Sequence, residues 1–376
     1  MAPGNARSSR AGSVVAVYGA TGHTGRFVVS ELLRRGFVPV AVARDESKLA
    51  VLGFRERGVA TKAASIDAPA SLDQALKPAS VVVNCAGPFM DTAGAVAAAA
   101  VRAGAHYLDV NAEQPSAQDT FERFDGAARE AGVVVVPAMG FYGGLADLLA
   151  TAAADGWASV DEVRIAVALD SWHPTLGTRI TGYRNTARRL MIADARLAPI
   201  PQPAPETSWE FPEPFGPQQV IELSFSEVVL IARHLRTSRL HSYINHRPLR
   251  DLRDPSTPPP QAADGSGRSP QTFLIEADVR RGNEARQALA RGRDIYAVTA
   301  PLICEAVERI LGARAQGGGA FAPGEIFDAK TFLRSLSPQH LALELEGSEP
   351  RAHALVTSDQ STDIGHGKNR HHEHLA

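Results

Sequence analysis

The residues best suited to chemistry are three glycines at intervals of three, Gly19, Gly22 and Gly25, set in the run GATGHTG with Thr21, His23 and Thr24 between them. A five-residue apolar run, VVAVY, precedes them, and an amphipathic run over 26–35 with Phe27, Val28, Leu32 and Leu33 at helical spacing follows. A buried strand, a glycine turn and a helix start in that order form a phosphate cradle. The first glycine permits the tight turn, the second lets a pyrophosphate approach the backbone, and the third lets helix and strand pack closely. The helix N-terminus then offers free N–H groups and partial positive charge. A dinucleotide cofactor is therefore expected at Gly19–Gly25.

Hydride chemistry also needs a proton donor or electrostatic stabiliser beside the acceptor. One familiar solution is a Tyr with a Lys four residues later. The six tyrosines are followed at that distance by Gly22, Asn111, Ala146, Ala187, Arg247 and Ala300, so that pair is absent. Tyr142 lies in the glycine-flanked turn FYGG after an apolar run, a position able to present its hydroxyl to a cleft. It is read as proton donor or substrate orienter, with packing as the alternative. Arg179 and Tyr183 stand four apart on an expected helix over 178–190 and share a face, which suits a substrate carboxylate or phosphate. A solvated basic face is the competing reading.

These groups must be positioned by a larger framework. Apolar runs at 37–43, 59–66, 80–86, 106–110 and 133–137 alternate with helical patterns, which predicts a doubly wound parallel α/β sheet of the Rossmann type. The end of the second strand selects the cofactor. Arg44 there, with Lys48 after it, favours the 2′-phosphate of NADP(H), while Asp45 argues for NAD; the competing reading is a helix N-cap for Asp45 and a solvated charge for Arg44. Asp67, after the third strand, either borders the adenine or caps the next helix. Asn84, Ala86, Gly87 and Pro88 close the fourth strand where the nicotinamide ribose is expected, with Phe89 next to them on the substrate side.

Beyond residue 149 the pattern changes. The run 162–169 alternates polar and apolar, and further strands are expected at 220–232, 239–245 and 272–280. The proline-rich stretch 199–217 reads as a loop or lid, and 253–270 as a second loop. This block is expected to be an inserted α+β substrate and dimerisation domain over 149–290. A helix at 293–311 opens a segment, 291–346, expected to return to the Rossmann domain at 13–148. The ends, 1–12 and 347–376, read as disordered tails.

Composition narrows the partners. Of the 376 residues 44% are hydrophobic and the net charge is -2, so neither nucleic acid nor a membrane partner is expected. Two cysteines provide no disulfide framework or metal cluster, and the polar ends and short apolar runs predict a soluble, cytoplasmic protein.

The segments GATGHTGR, VVNCAGPF, HYLDVNAE and VVPAMGFYGGLADLLA, in this order, resemble the bacterial saccharopine-dehydrogenase-like oxidoreductases. The corresponding family blocks run GATGFTG, NCAGPF, YLDxxGE and PxxGFDxxPxDL. The resemblance continues through GRDIYAVTAPLICEAVERIL at 292–311 and GEIFDAKTFLRSL at 324–336. It implies a Rossmann domain, an NAD(P) cofactor, an inserted substrate domain and possible homodimers. It also implies an NADPH-dependent reduction of a C=C, C=N or C=O bond in a small or carrier-bound substrate, with the enoyl-reductase members slightly favoured. A catalytically silent NADP-binding sensor or scaffold is the alternative. On the same resemblance Asp109 and Glu113 flank the substrate, Asp109 in binding and Glu113 in catalysis, one of them orienting the ribose or accepting an amine; a loop cap is the competing reading for each. Two departures fall there: Asn111-Ala112-Glu113 replaces a Thr/Ser-Gly-Glu, and Phe141-Tyr142-Gly143-Gly144 replaces a Phe-Asp pair.

Overall fold

A computed structural model describes residues 12–312 and 317–345. The expected tails lie outside these residues, apart from Gly12. Six strands form the first sheet in chain order: β1 (Val14–Tyr18), β2 (Val38–Ala43), β3 (Ala60–Ala63), β4 (Val81–Asn84), β5 (His106–Asp109) and β6 (Val134–Val136). They lie in the order β6-β5-β4-β1-β2-β3, every pairing is parallel, and the short strand Gly319–Ala320 extends the sheet beside β6. The order reverses direction between β1 and β4. In sheets of this kind the ligand crevice lies at that point, outside the carboxyl ends of the strands.

Both faces of this sheet are covered, and the two-residue period of a strand decides which side chain goes where. Val15, Val17, Val81, Val83 and Leu108 face a core shared with Val28 and Leu32 of α1 (His23–Arg34) and with Ile303 and Val307 of helix Thr299–Gly312. Ala16, Val82 and Tyr107, one residue out of step, face the other layer with Leu72, Val96 and Phe121.

The second sheet runs Glu206–Glu210, Pro217–Glu222, Arg236–Asn245, Ser159–Leu169, Thr272–Arg281, Glu284–Arg293, Leu341–Glu344. Arg236–Asn245 is parallel to Ser159–Leu169, and the other pairings on this path are antiparallel. Val163, Ile165, Ile275 and Ala277 bury against Leu145 and Leu149, so one continuous core joins the two sheets.

Several expected elements take another form. The run expected as a strand over 220–232 splits into Pro217–Glu222 and a helix, Glu227–His234. VVLIA is apolar at every position, so its periodicity cannot separate a buried helix from a buried strand. The proline-rich stretch is not loop throughout. ETSWE, free of proline, forms the edge strand beside Pro217–Glu222, in which Pro217 takes the first position, and buries Trp209. The expected helix at 293–311 starts later: the strand runs to Arg293, Asp294 turns the chain at φ 64°, and the helix begins at Thr299. The segment after residue 291 serves both sheets, because Gly319–Ala320 joins the first and Leu341–Glu344 the second.

Candidate active site

At the phosphate turn the backbone explains the glycines. Gly19 has φ +80°, and a Cβ on it would lie 2.8 Å from the Ala86 backbone nitrogen. A Cβ on Gly25 would lie 2.3 Å from the Gly19 carbonyl oxygen, so α1 meets the end of β1 at a distance only glycine permits. Gly22 is the N-cap of α1 and no side chain caps the helix. The first turn, with Thr21, His23 and Thr24 around it, thus keeps the uncapped N-terminus that an anionic pyrophosphate requires. His23 packs edge-on against Phe27 and Tyr296, with ring centroids 5.3 and 5.6 Å away, and its Nε2 is buried without a hydrogen-bond partner. Burial, opposed by the field of Asp294, lowers its pKa, so the ring is neutral at physiological pH.

At the end of β2 the Asp45 carboxylate accepts the Lys48 N–H at 3.1 Å and caps helix Glu46–Val51. Arg44 is exposed beside it. The acidic residue is committed to a cap and the cation is exposed, with no ion pair among the described residues, the arrangement suited to a 2′-phosphate. Asp67 is exposed and accepts the Ser65 hydroxyl at 3.1 Å; the N-cap of the next helix is Ala68, so Asp67 does not cap it. Arg44 and Asp67 both act on Tyr18, which places them at the same end of β1.

At the carboxyl ends of β4 and β5 the buried groups are already in use. The Asn84 side chain accepts the Ala86 N–H at 3.0 Å and donates to Thr92 and Tyr107, shaping the bend that carries Cys85, Gly87 and Pro88. Asp109 is 0% exposed and accepts four protein donors: the Tyr107 hydroxyl, the Asn111 N–H and amide, and the Ala138 N–H, at 2.7–3.0 Å. This corrects the expectation that Asp109 binds substrate; it ties the end of β5 to the end of β6. The Glu113 carboxylate accepts the N–H groups of Phe89 and Met90 at 2.8 and 3.2 Å, neutralising the N-terminus of helix Phe89–Arg102. Burial raises its pKa, and the two N–H donors oppose that rise.

A cavity of about 210 Å³ opens at this switch point. Its walls bring together Thr24 of the phosphate turn, Cys85, Gly87, Phe89, Glu113 and Tyr142. Tyr142 sits in a π-helical turn, Phe141–Leu145, and its ring stacks on Phe225 with centroids 4.1 Å apart. Its hydroxyl is buried and has no hydrogen-bond partner among the described residues. Burial first, then the fields of Tyr296 and Glu227, raise its pKa well above the ordinary phenol value, so it stays a donor. Burial likewise raises the pKa of the Cys85 thiol, which leaves it inert.

The structure does not bring Arg179 and Tyr183 to this cavity. Helix Leu176–Arg184 presents Gly177, Thr178, Thr181 and Gly182 inward, while Tyr183 is 88% exposed. The Arg179 guanidinium donates to the backbone carbonyls of Asp254 and Thr257 instead. Sequence reasoning missed Tyr296, which anchors this helix. Its oxygen accepts Trp172 Nε1–H at 2.9 Å and the Thr175 N–H at 3.4 Å, and it pairs with the Thr178 hydroxyl at 2.9 Å. The available signal was its place two residues after Asp294, whose carboxylate accepts the Tyr296 and Ala297 N–H groups.

The fold and the turn define a Rossmann dinucleotide-binding protein with a second, mixed-sheet domain facing the cofactor crevice. Residues 15–136 match the family model described as saccharopine dehydrogenase NADP binding domain. The chain is similar to the saccharopine dehydrogenase-like oxidoreductase of Bos taurus, 32% identical over 152 residues, covering 35% of each protein. A lipid droplet localized protein of Caenorhabditis elegans is 32% identical over 146 residues, covering 36% of this chain and 34% of that one. The aligned part is thus about a third of these curated relatives' length. The fold of the whole chain resembles apo saccharopine dehydrogenase (L-Glu forming) from Saccharomyces cerevisiae, with TM-score 0.63 and 11% identity over 89% of this chain and 99% of that one. Among the described residues no helix is long and apolar enough to cross a membrane.

Proposed function

We propose that this protein is an NADPH-dependent reductase acting on a polarised C=O bond or a C=C bond conjugated to one. One observation supports the reading: Thr24 of the cofactor turn and Tyr142 line the same cavity, and the Tyr142 hydroxyl lies buried behind that wall with no hydrogen-bond partner among the described residues. The residues present fit the cofactor. An uncapped α1, a glycine turn that excludes a Cβ at Gly19 and Gly25, and an exposed Arg44 would hold its phosphates. When bound, NADPH supplies a hydride.

The chain's own residues do the rest. The Tyr142 hydroxyl donates a hydrogen bond to the substrate oxygen, stabilising charge that develops there. Glu113 holds the Gly87–Phe89 wall through two backbone N–H groups. Helix Leu176–Arg184, pinned by Tyr296, shields the cavity from water. Fluorescence titration with NADPH and NADH, followed by NADPH oxidation assays with enals and ketones, tests the reading. Tight NADPH binding and turnover support it. Binding of neither nucleotide sinks it, and binding without turnover favours the silent sensor.

A further inference from the structure

The cavity walls say more about the substrate than the reaction type does. Their bulk is apolar: Phe89, Phe141, Trp172, Leu252 and Ile295 contribute to the lining together with the Tyr142 ring. Among the described residues that line it, Glu113 alone carries a formal charge, and both its oxygens are engaged by backbone N–H groups. No lining residue is a Lys or Arg.

The arginines on neighbouring segments are committed elsewhere. Arg179 donates to two backbone carbonyls, and Arg184 pairs with Asp91. Arg189 donates to the Ser224 carbonyl while its guanidinium lies 4.5 Å over the Phe225 ring. A substrate carboxylate in this cavity would therefore meet the negative charge of Glu113 with no cation in the lining to pair with it; the field of Arg189 reaches Glu113 and Tyr142 only from behind the wall. Burying an unpaired charge is costly, whereas burying an apolar chain is favourable.

The polar groups point the same way. The Tyr296 oxygen already accepts two N–H donors, so its own proton serves Thr178. Thr24, Thr181 and Tyr142 contribute only uncharged hydroxyls to the lining residues, which suits a neutral oxygen. Building on the reductase reading, we infer that the substrate is a neutral, largely apolar carbonyl compound, and that amino acids and carboxylic acids are excluded.

The test is calorimetric titration of the intact protein, saturated with 1,4,5,6-tetrahydro-NADP, whose ring is neutral and donates no hydride, with three matched ligands: 2-octanone, 7-oxooctanoate and 8-amino-2-octanone. The expected result is that the neutral ketone binds at least about 100-fold more tightly than the keto acid and more tightly than the amine. Equal affinities, preference for either charged ligand, or binding by none of the three would overturn the inference. Hydride transfer is read separately, as NADPH oxidation. A neutral ketone that binds selectively in a protein that oxidises NADPH with no carbonyl or enoyl compound would count against reduction and leave the ligand class standing.

Discussion

His234 Nε2 lies 2.7 Å from Oδ1 of the wholly buried Asp147, whose other carboxylate oxygen accepts the Gly324 N–H, also at 2.7 Å. Three elements meet there: helix Ala146–Ala153, helix Glu227–His234 of the second domain, and the turn Pro323–Ile326. Burial alone would lower the histidine pKa, but the charge and hydrogen bond of Asp147 outweigh it, and the pKa is raised above 6.5.

A raised histidine pKa contributes stability that is complete below 6.5 and lost as pH climbs through the raised folded value. Thermal melts from pH 6 upward should show that decline, and His234→Gln should flatten it. Asp147→Ala, which strips a buried partner from two donors, should cost about 3–5 kcal/mol at pH 6. A His234→Gln profile parallel to the parent would disprove the coupling.

Glu227 gives a second pH signature. The carboxyl is fully buried, which pushes its pKa up to about 7; donors from Ser242 and Phe225 and the charge of Arg189 only partly offset this. The unfolded chain loses this proton near 4.5, so the native state loses stability between that pH and about 7, in all about 3 kcal/mol. Glu227→Gln should gain stability relative to the parent across that window. Chemical denaturation at pH 4.5 and pH 7.5 measures it, and an unchanged difference at the two values refutes it.

Tyr142→Phe separates chemistry from packing. The ring keeps its stack on Phe225, and the hydroxyl has no hydrogen bond to lose. The melting temperature should hold or rise slightly, NADPH affinity should not change, and turnover should fall about 100-fold or more. Full activity in the variant would mean that the hydroxyl takes no part in the reaction.

Arg44→Ala should raise the dissociation constant for NADPH at least about tenfold, the loss of one charge-assisted contact of about 1.5–3 kcal/mol, and leave NADH binding nearly unchanged. Parallel fluorescence titrations decide it. Equal weakening of both nucleotides would remove Arg44 from recognition of the 2′-phosphate.

The phosphate turn was legible in the sequence because its signal is local: the strand, the glycines and the helix start lie within about twenty consecutive residues. Asp45 was legible as a cap for the same reason. What the sequence could not supply was orientation. Arg179 and Tyr183 do share a helix, yet the face turned to the cavity carries Gly177, Thr178, Thr181 and Gly182, while Leu176 and Ile180 face outward. A hydrophobic pattern that runs opposite to the protein interior misdirects any reading based on amphipathicity. Asp109 was misread because its four donors come from β5 itself, the turn after it and the end of β6, a convergence set by the sheet and not by spacing. Tyr296 is 124 residues from Trp172 in the chain, and only the folded protein joins them.

Among the described residues the polypeptide passes between the two sheets three times: after Ala153, after Arg293 and after Leu336. A chain sewn through two bodies in this way has no single linker to act as a hinge. Swinging one body away from the other would strain three crossings together and peel helix Thr299–Gly312 from α1, exposing Val28 and Leu32. Admission of a ligand is therefore cheapest as a local displacement of the short wall Leu176–Arg184, which contains two glycines and buries none of its residues. For the same reason residues 13–148 expressed alone should be a poor surrogate for the whole, since part of the cover of their own core is supplied from the far end of the chain.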